Sequence, residues 1–348
     1  MRQCGWRRLP EVGDADRSLR PAPGLLMFPL RHPEFLRTTL FSPPGLLPIS
    51  SQSPTPPIVL VFAGSDPSGG AGLQADLLTL AGLGCHGLSV VTAITVQDTE
   101  RVSAIDPVDA GWVEDQARQL LEDMCVDAFK IGLIGSVENA SVIAEIVSDY
   151  PDIPLILDPV LASGNGDELA SGDLISAMRE LLIAQTTILT PNSLEARRLV
   201  TRDPDGDAPS LEAAAEALLQ MGAEYVLITG THENSAQVVN NLYGPLPAQE
   251  AQDGDRRPGT PDGMQPHAVG LVRSDAWTRL SGSYHGSGCT LATAIAALIA
   301  KGDTVPDAVR AAQEYTWHTL KAGFRPGMGQ FIPDRLFRTR QNPAATSR

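Results

Sequence analysis

The chain has 348 residues, enough for one large domain or two small ones, and its 43% apolar and 19% charged content marks a folded protein. A formal net charge of −15 repels phosphate backbones, which excludes sequence-independent nucleic-acid binding, and no apolar run of about 18 residues is present to span a membrane. Cys4, Cys85, Cys125 and Cys289 form neither a C-x-x-C pair nor a zinc-ligand spacing, so no disulfide framework and no structural zinc are expected, and the expected location is cytoplasmic.

The first 57 residues hold 11 of the 28 prolines, seven Arg, no Lys and four acidic residues. Proline at that density blocks helix interiors and sheet ladders, which predicts a disordered extension over 1–57. Pro29 breaks its apolar stretch, and Glu11, Asp14, Asp16 and Glu34 oppose a transit peptide. An extension without a function is expected, with Met27 as a natural start. From Ile58, β-branched runs at 58–63, 88–95, 128–131, 155–157, 187–189 and 225–228 predict strands. They alternate with helical patterns near 71–82, 109–123, 138–149, 172–183, 193–200 and 210–221. That alternation predicts an α/β fold with right-handed crossovers and a sheet covered on both faces. A polar, proline-rich stretch at 245–268 interrupts a hairpin-like pair at 237–243 and 277–281 and reads as a long surface loop. Helices at about 286–301 and 304–321 close a domain expected over 58–335, with a short tail at 336–348.

Three motifs could carry chemistry. The first strand runs into G-S-D-P-S-G-G-A-G (Gly64 to Gly72) and then a helix. Its glycines permit close approach of a ligand to backbone N–H groups, although a tight β–α turn would also explain them. H-G-S-G-C-T (His285 to Thr290) precedes the alanine-rich helix 291–300. There the N–H groups of Gly286, Ser287, Gly288 and Cys289 would converge at the positive end of the helix dipole, an anion hole for a phosphate in transfer. A plain helix cap beside a buried cysteine is the alternative. T-P-N-S-L-E (Thr190 to Glu195) has capping-box spacing between Asn192 and Glu195. Capping alone accounts for that pair; holding water around a magnesium–nucleotide is the added reading.

These motifs, with V-T-A-I-T-V-Q-D-T (Val91 to Thr99), F-K-I-G-L-I-G (Phe129 to Gly135), L-D-P-V and S-Y-H-G-S-G-C-T, resemble the hydroxymethylpyrimidine/phosphomethylpyrimidine kinases of the ribokinase-like superfamily over about 58–335. The resemblance implies a three-layer α/β/α sandwich around a mostly parallel sheet. It implies ATP- and Mg²⁺-dependent phosphorylation of 4-amino-5-hydroxymethyl-2-methylpyrimidine to the monophosphate and then the diphosphate, in thiamine biosynthesis, and a homodimer. Matched by position, Gln97 recognises the pyrimidine, its amide offering a donor and an acceptor. Gly64 and Asp76 line or support that pocket, and Leu133 and Val160 form its apolar wall. Asn192, Glu195 and Thr229 serve ATP and Mg²⁺, the metal held through water near Glu195 with no direct protein ligand.

Cys289 matches the reactive-site cysteine, beside the hole of Gly286, Ser287 and Gly288. A carboxylate there, ~4 Å from a substrate that is already a phosphate, would repel it by ~4 kcal/mol at an effective dielectric near 20. A thiol tolerates both substrates, and the helix N-terminus is expected to lower its pKa and lend it base character for the alcohol step alone. Cys289→Ser should then slow the first phosphorylation far more than the second. One departure is T-G-T-H (Thr229 to His232) where many members have K-G-G-H, so magnesium and the hole must suffice, another basic residue must approach, or nucleotide affinity falls. A second is Asp98, where the family commonly has asparagine. Pyridoxal kinase of the same fold is the nearest alternative, and a non-catalytic pyrimidine sensor is the alternative of another class.

Overall fold

The computed structural model describes residues 55–164, 166–201, 208–233, 235–246 and 268–340. The expectations for the N-terminal extension, nearly all of the 245–268 loop and the last eight residues lie outside the described residues. Strand β1 (Ile58–Ser65) is buried on both faces, as a central parallel strand must be. Ile58, Leu60 and Phe62 point into one core, whereas Val59, Val61 and Ala63 point into the other. The period-2 alternation therefore builds two apolar layers from a single run.

After β1 come α1 (Gly72–Gly82), β2 (His86–Gln97), β3 (Val102–Pro107), α2 (Ala110–Asp123), β4 (Ala128–Ile131), α3 (Val137–Ser148) and β5 (Leu155–Leu157). Next are α4 (Gly172–Ala177), β6 (Ile188–Leu189), α5 (Ser193–Val200), α6 (Leu211–Gln220) and β7 (Tyr225–Thr229). The described chain ends with β8 (Gln237–Pro245), β9 (Val269–Thr278), α7 (Ser287–Ala300), α8 (Val305–Lys321) and α9 (Phe337–Arg340). One nine-stranded sheet runs in the order β3-β2-β1-β4-β5-β6-β7-β8-β9; the central six strands pair in parallel, while β3 pairs antiparallel with β2, β8 with β7 and β9 with β8. Val113, Ile143, Leu174, Leu199 and Leu218 place α2 to α6 on one face. Leu80, Ile295 and Ala312 place α1, α7 and α8 on the other. The result is the α/β/α sandwich expected.

Three details differ from the sequence reading. β3 was not anticipated, because V-S-A-I-D-P leaves four of its six residues exposed and lacks the apolar alternation of a packed strand. The partner of β8 is Val269–Thr278 and not 277–281: Gln237 pairs with Thr278 and Pro245 with Val269. The helix expected at 172–183 runs as α-helix only to Ala177, then as a π turn (Met178–Leu182) and a 3-10 turn (Ile183–Gln185). Beyond 335, where a tail was expected, Phe337 is buried against Tyr315. Cys85 and Cys289 are free thiols. No helix among the described residues is long and apolar enough to cross a membrane.

Candidate active site

A cleft of about 520 Å³ opens at the carboxyl ends of the parallel strands, the usual place for a ligand in an open α/β sheet. Gly64, Gln97, Leu133, Val160, Asn192, Glu195, Thr229 and Gly286 to Cys289 all line it, so the residues expected for the pyrimidine, the nucleotide and the hole share one cavity. Asp76 is the exception. It is fully buried beneath the cleft, where it supports the wall without facing the ligand space.

At one end, Asp66 of the first glycine loop organises the polar groups. Its carboxylate accepts from the Ser68 and Ala71 N–H groups (both 2.7 Å), from Ser68 Oγ (3.0 Å) and from His285 Nε2 (2.9 Å). The nearby Gln97 side chain adds to the stabilisation of this carboxylate. Burial alone would raise the Asp66 pKa, but these donors outweigh it and hold the carboxyl well below the usual range. An ionised carboxylate only accepts, so His285 Nε2 carries the proton in this contact. Gln97 lines the same end of the cleft. A register shift between Val96 and Gln97 at the end of β2 turns this side chain out of the strand's alternation. Asp98 has a local explanation: Oδ1 accepts from the N–H groups of Glu100 (2.8 Å) and Arg101 (3.0 Å), closing the β2–β3 turn.

In the middle of the cleft, α7 begins at Gly286 in the left-handed region (φ 78°), with no side-chain cap. Its first-turn N–H groups, Ser287 to Cys289, have no intrahelical acceptor and face the cavity lined by the same residues. A Cβ at Gly286 would lie 1.9 Å from Gly70 O, so the two glycine loops touch backbone to backbone. Cys289 is half-buried between them. Burial pushes its thiol up to about 12, with Lys130 opposing and Asp158 and Asp76 adding to the rise. The expected lowering by the helix N-terminus is overturned: Cys289 is a neutral thiol at pH 7, and the asymmetry expected of Cys289→Ser loses its basis.

Lys130, on β4, enters the cleft from below. Its Nζ donates to Asp76 (2.9 Å), whose other oxygen accepts from Thr293 Oγ1 (2.6 Å), with both charged side chains fully buried. Burial alone would lower the Lys130 pKa, but Asp76 outweighs it and keeps the ammonium protonated. Asp158, after β5, is buried and pushed up to about 6, chiefly by desolvation and against the pull of Lys130.

At the other end the capping box is present: Asn192 Oδ1 accepts from Glu195 N–H (2.9 Å) and Glu195 Oε2 from Asn192 N–H (3.0 Å). Burial first, and then Asp158, push Glu195 up to about 8. The loop after Thr229 is clamped by Arg279, which donates to the carbonyls of Thr231 (2.9 Å), Glu233 (2.8 Å) and Ser235 (2.9 Å). Arg279, bound to the loop that follows Thr229, and Lys130 also line the cleft. Sequence reasoning missed Asp66, Lys130, Asp158 and Arg279 as site residues. The signal for Lys130 was available: a charged residue in the otherwise apolar strand A-F-K-I is rarely buried without a partner.

The sequence profile described as Phosphomethylpyrimidine kinase matches residues 66–258 and 269–334. A hydroxymethylpyrimidine/phosphomethylpyrimidine kinase of Streptomyces coelicolor is 38% identical over 275 residues, 79% of this chain and 93% of that protein. Among solved structures, pyridoxal kinase from Staphylococcus aureus in complex with pyridoxal superposes with a TM-score of 0.66 at 26% identity, covering 82% of this chain and 96% of that one. Phosphomethylpyrimidine kinase from Clostridium difficile superposes at 0.59 and 29% identity, covering 76% and 99%.

Proposed function

The chain belongs to the phosphomethylpyrimidine kinase family, and on that premise we propose that it phosphorylates 4-amino-5-hydroxymethyl-2-methylpyrimidine with ATP, and then phosphorylates the monophosphate to the diphosphate, in thiamine biosynthesis. One observation carries the reading: Asp66, Gln97 and the α7 hole line a single cleft. The Gln97 amide, with a donor and an acceptor, pairs with a ring nitrogen and the exocyclic amine beside it, while Leu133 and Val160 hold the ring faces. The N–H groups of Ser287 to Cys289 grip the phosphoryl group between donor and acceptor. A neutral Cys289 leaves that hole free of negative charge for either acceptor, alcohol or phosphate.

ATP takes the Asn192–Thr229 end. Burial raises the proton affinity of two carboxyls, Glu195 and Asp158, and Asp158 raises that of Glu195 further, a donor set that a divalent cation relieves. No group of three or more metal-ligating side chains occurs among the described residues. The fit is therefore to Mg²⁺ on phosphate oxygens with its waters turned toward these two carboxyls, where it would neutralise phosphate charge. Because both carboxyls must ionise to receive the cation, the Mg²⁺ concentration for half-maximal rate should rise as pH falls from 8 to 6. A magnesium requirement flat over that range, in steady-state titrations, would remove both residues from the metal's environment.

We place the reaction in the cytoplasm, where ATP is supplied. A homodimer fits Ile94 and Val96, which expose apolar side chains on β2; a monomeric mass by light scattering would contradict it. Pyridoxal is a second candidate acceptor, favoured by the superposition on the S. aureus enzyme. The test is side-by-side rates with hydroxymethylpyrimidine and pyridoxal, before and after Gln97→Ala. The reading expects the pyrimidine to be preferred and that preference to fall about tenfold or more, as for a lost hydrogen bond to a buried polar group. An unchanged ratio would contradict it.

A further inference from the structure

We infer that Arg335 is the positioning residue of the phosphate hole: from behind it, the guanidinium ties the two glycine-rich loops together and adds a positive charge that a bound phosphoryl group answers. Arg335 is 3% exposed and does not line the cleft. Its Nη2 donates to Gly70 O (2.5 Å) and Gly286 O (3.3 Å), and its Nε donates to Thr290 Oγ1 (3.0 Å). One side chain thus holds the first loop and both ends of the first turn of α7. Its own backbone is held in turn, since Tyr315 OH donates to Arg335 O at 2.6 Å.

Two features make this more than packing. Gly286 approaches Gly70 O so closely that no Cβ fits. Arg335 Nη2 donates to a carbonyl on each side of that contact, Gly70 O and Gly286 O, and so pins the two loops at the point of closest approach. The second feature is charge. Among the described residues no carboxylate oxygen lies within 4.0 Å of this guanidinium. Asp66 and Asp76 act on it only through space. A buried cation partnered by carbonyls and a hydroxyl alone is under-compensated. The open side of the arrangement, across the first turn of α7, is the hole itself. An anion there completes the charge balance and is held more strongly for it.

The inference deepens the phosphotransfer reading and rests on it. The test therefore uses two readouts on the full chain. In turnover with hydroxymethylpyrimidine, ATP and Mg²⁺, Arg335→Ala is expected to lower kcat about ten- to a hundredfold, less than loss of a hole donor itself, with KM for the pyrimidine unchanged. Added guanidinium ion should restore part of the rate, whereas urea, of similar shape and uncharged, should not. In calorimetry, affinity for Mg²⁺–AMP-PNP should fall more than affinity for Mg²⁺–ADP, because the hole grips the terminal phosphate. The second readout needs no pyrimidine turnover. If the unmodified chain phosphorylates no pyrimidine yet the nucleotide discrimination still falls, the functional reading fails and Arg335 keeps its role. Should Arg335→Ala not fold, Arg335→Lys carries both readouts with a smaller loss, since it keeps the charge but cannot span both carbonyls. An unchanged kcat, or equal weakening of both nucleotides with no guanidinium response, overturns the inference.

Discussion

Gly286→Ala is expected to lower kcat about 10²- to 10³-fold, the loss seen when an oxyanion-type donor is removed. Gly286 sits at φ 78°, where an L side chain is strained, and its Cβ would lie 1.9 Å from Gly70 O and 2.8 Å from Arg335 Nη2. Gly70 O is backbone and the Arg335 tip is held by three hydrogen bonds, so the first turn of α7 must move and carry its N–H groups out of line. Gly302→Ala, at the other end of the same helix, is the matched control. It has φ 98° and nothing within 4 Å of the added carbon, so it suffers the backbone strain without the collision. Thermal melts of both variants should fall, that of Gly286→Ala further, while only Gly286→Ala loses turnover. Equal activity of the two variants would show that the loop contact is irrelevant to the reaction.

The second large effect concerns the buried ion pair. Lys130→Met leaves Asp76 with only Thr293 as a partner in a fully buried site, a loss of about 3–5 kcal/mol for breaking such a pair from one side. Urea denaturation should show the midpoint falling with little change in slope. Lys130→Met combined with Asp76→Leu removes both charges, and replacing a whole buried pair by apolar groups is often near neutral. The double variant should therefore regain most of the stability. Activity should not return with it, because the ammonium that reaches the cleft beside Cys289 and Asp158 is still missing. Recovery of turnover in step with stability would assign Lys130 a purely structural role.

How much of this was legible in the residues differs by level. The parallel core was, because strands such as I-V-L-V-F-A must bury both faces, and alternate positions do fill two separate cores. The Asn192–Glu195 box was also legible, since its spacing is a local hydrogen-bond pattern. Long-range placement was not. Asp66 meets His285 across 219 positions, and Arg335 reaches Gly70 across 265. Nothing in either local pattern announces such partners. The behaviour of Cys289 was misjudged because a helix N-terminus was weighed without the desolvation that the surrounding loops impose. The β8–β9 pairing was misplaced because β9 alternates weakly, its exposed Val269 and Leu271 looking outward where an edge strand usually shows polar residues.

The central claim is that one cleft seats a pyrimidine against Asp66 and Gln97 while the start of α7 passes a phosphoryl group to it. Mass analysis of the products from hydroxymethylpyrimidine, ATP and Mg²⁺ tests this most directly. The account predicts a singly phosphorylated pyrimidine that appears first and is then converted to the doubly phosphorylated one. Nucleotide hydrolysis with the pyrimidine recovered unmodified would contradict it.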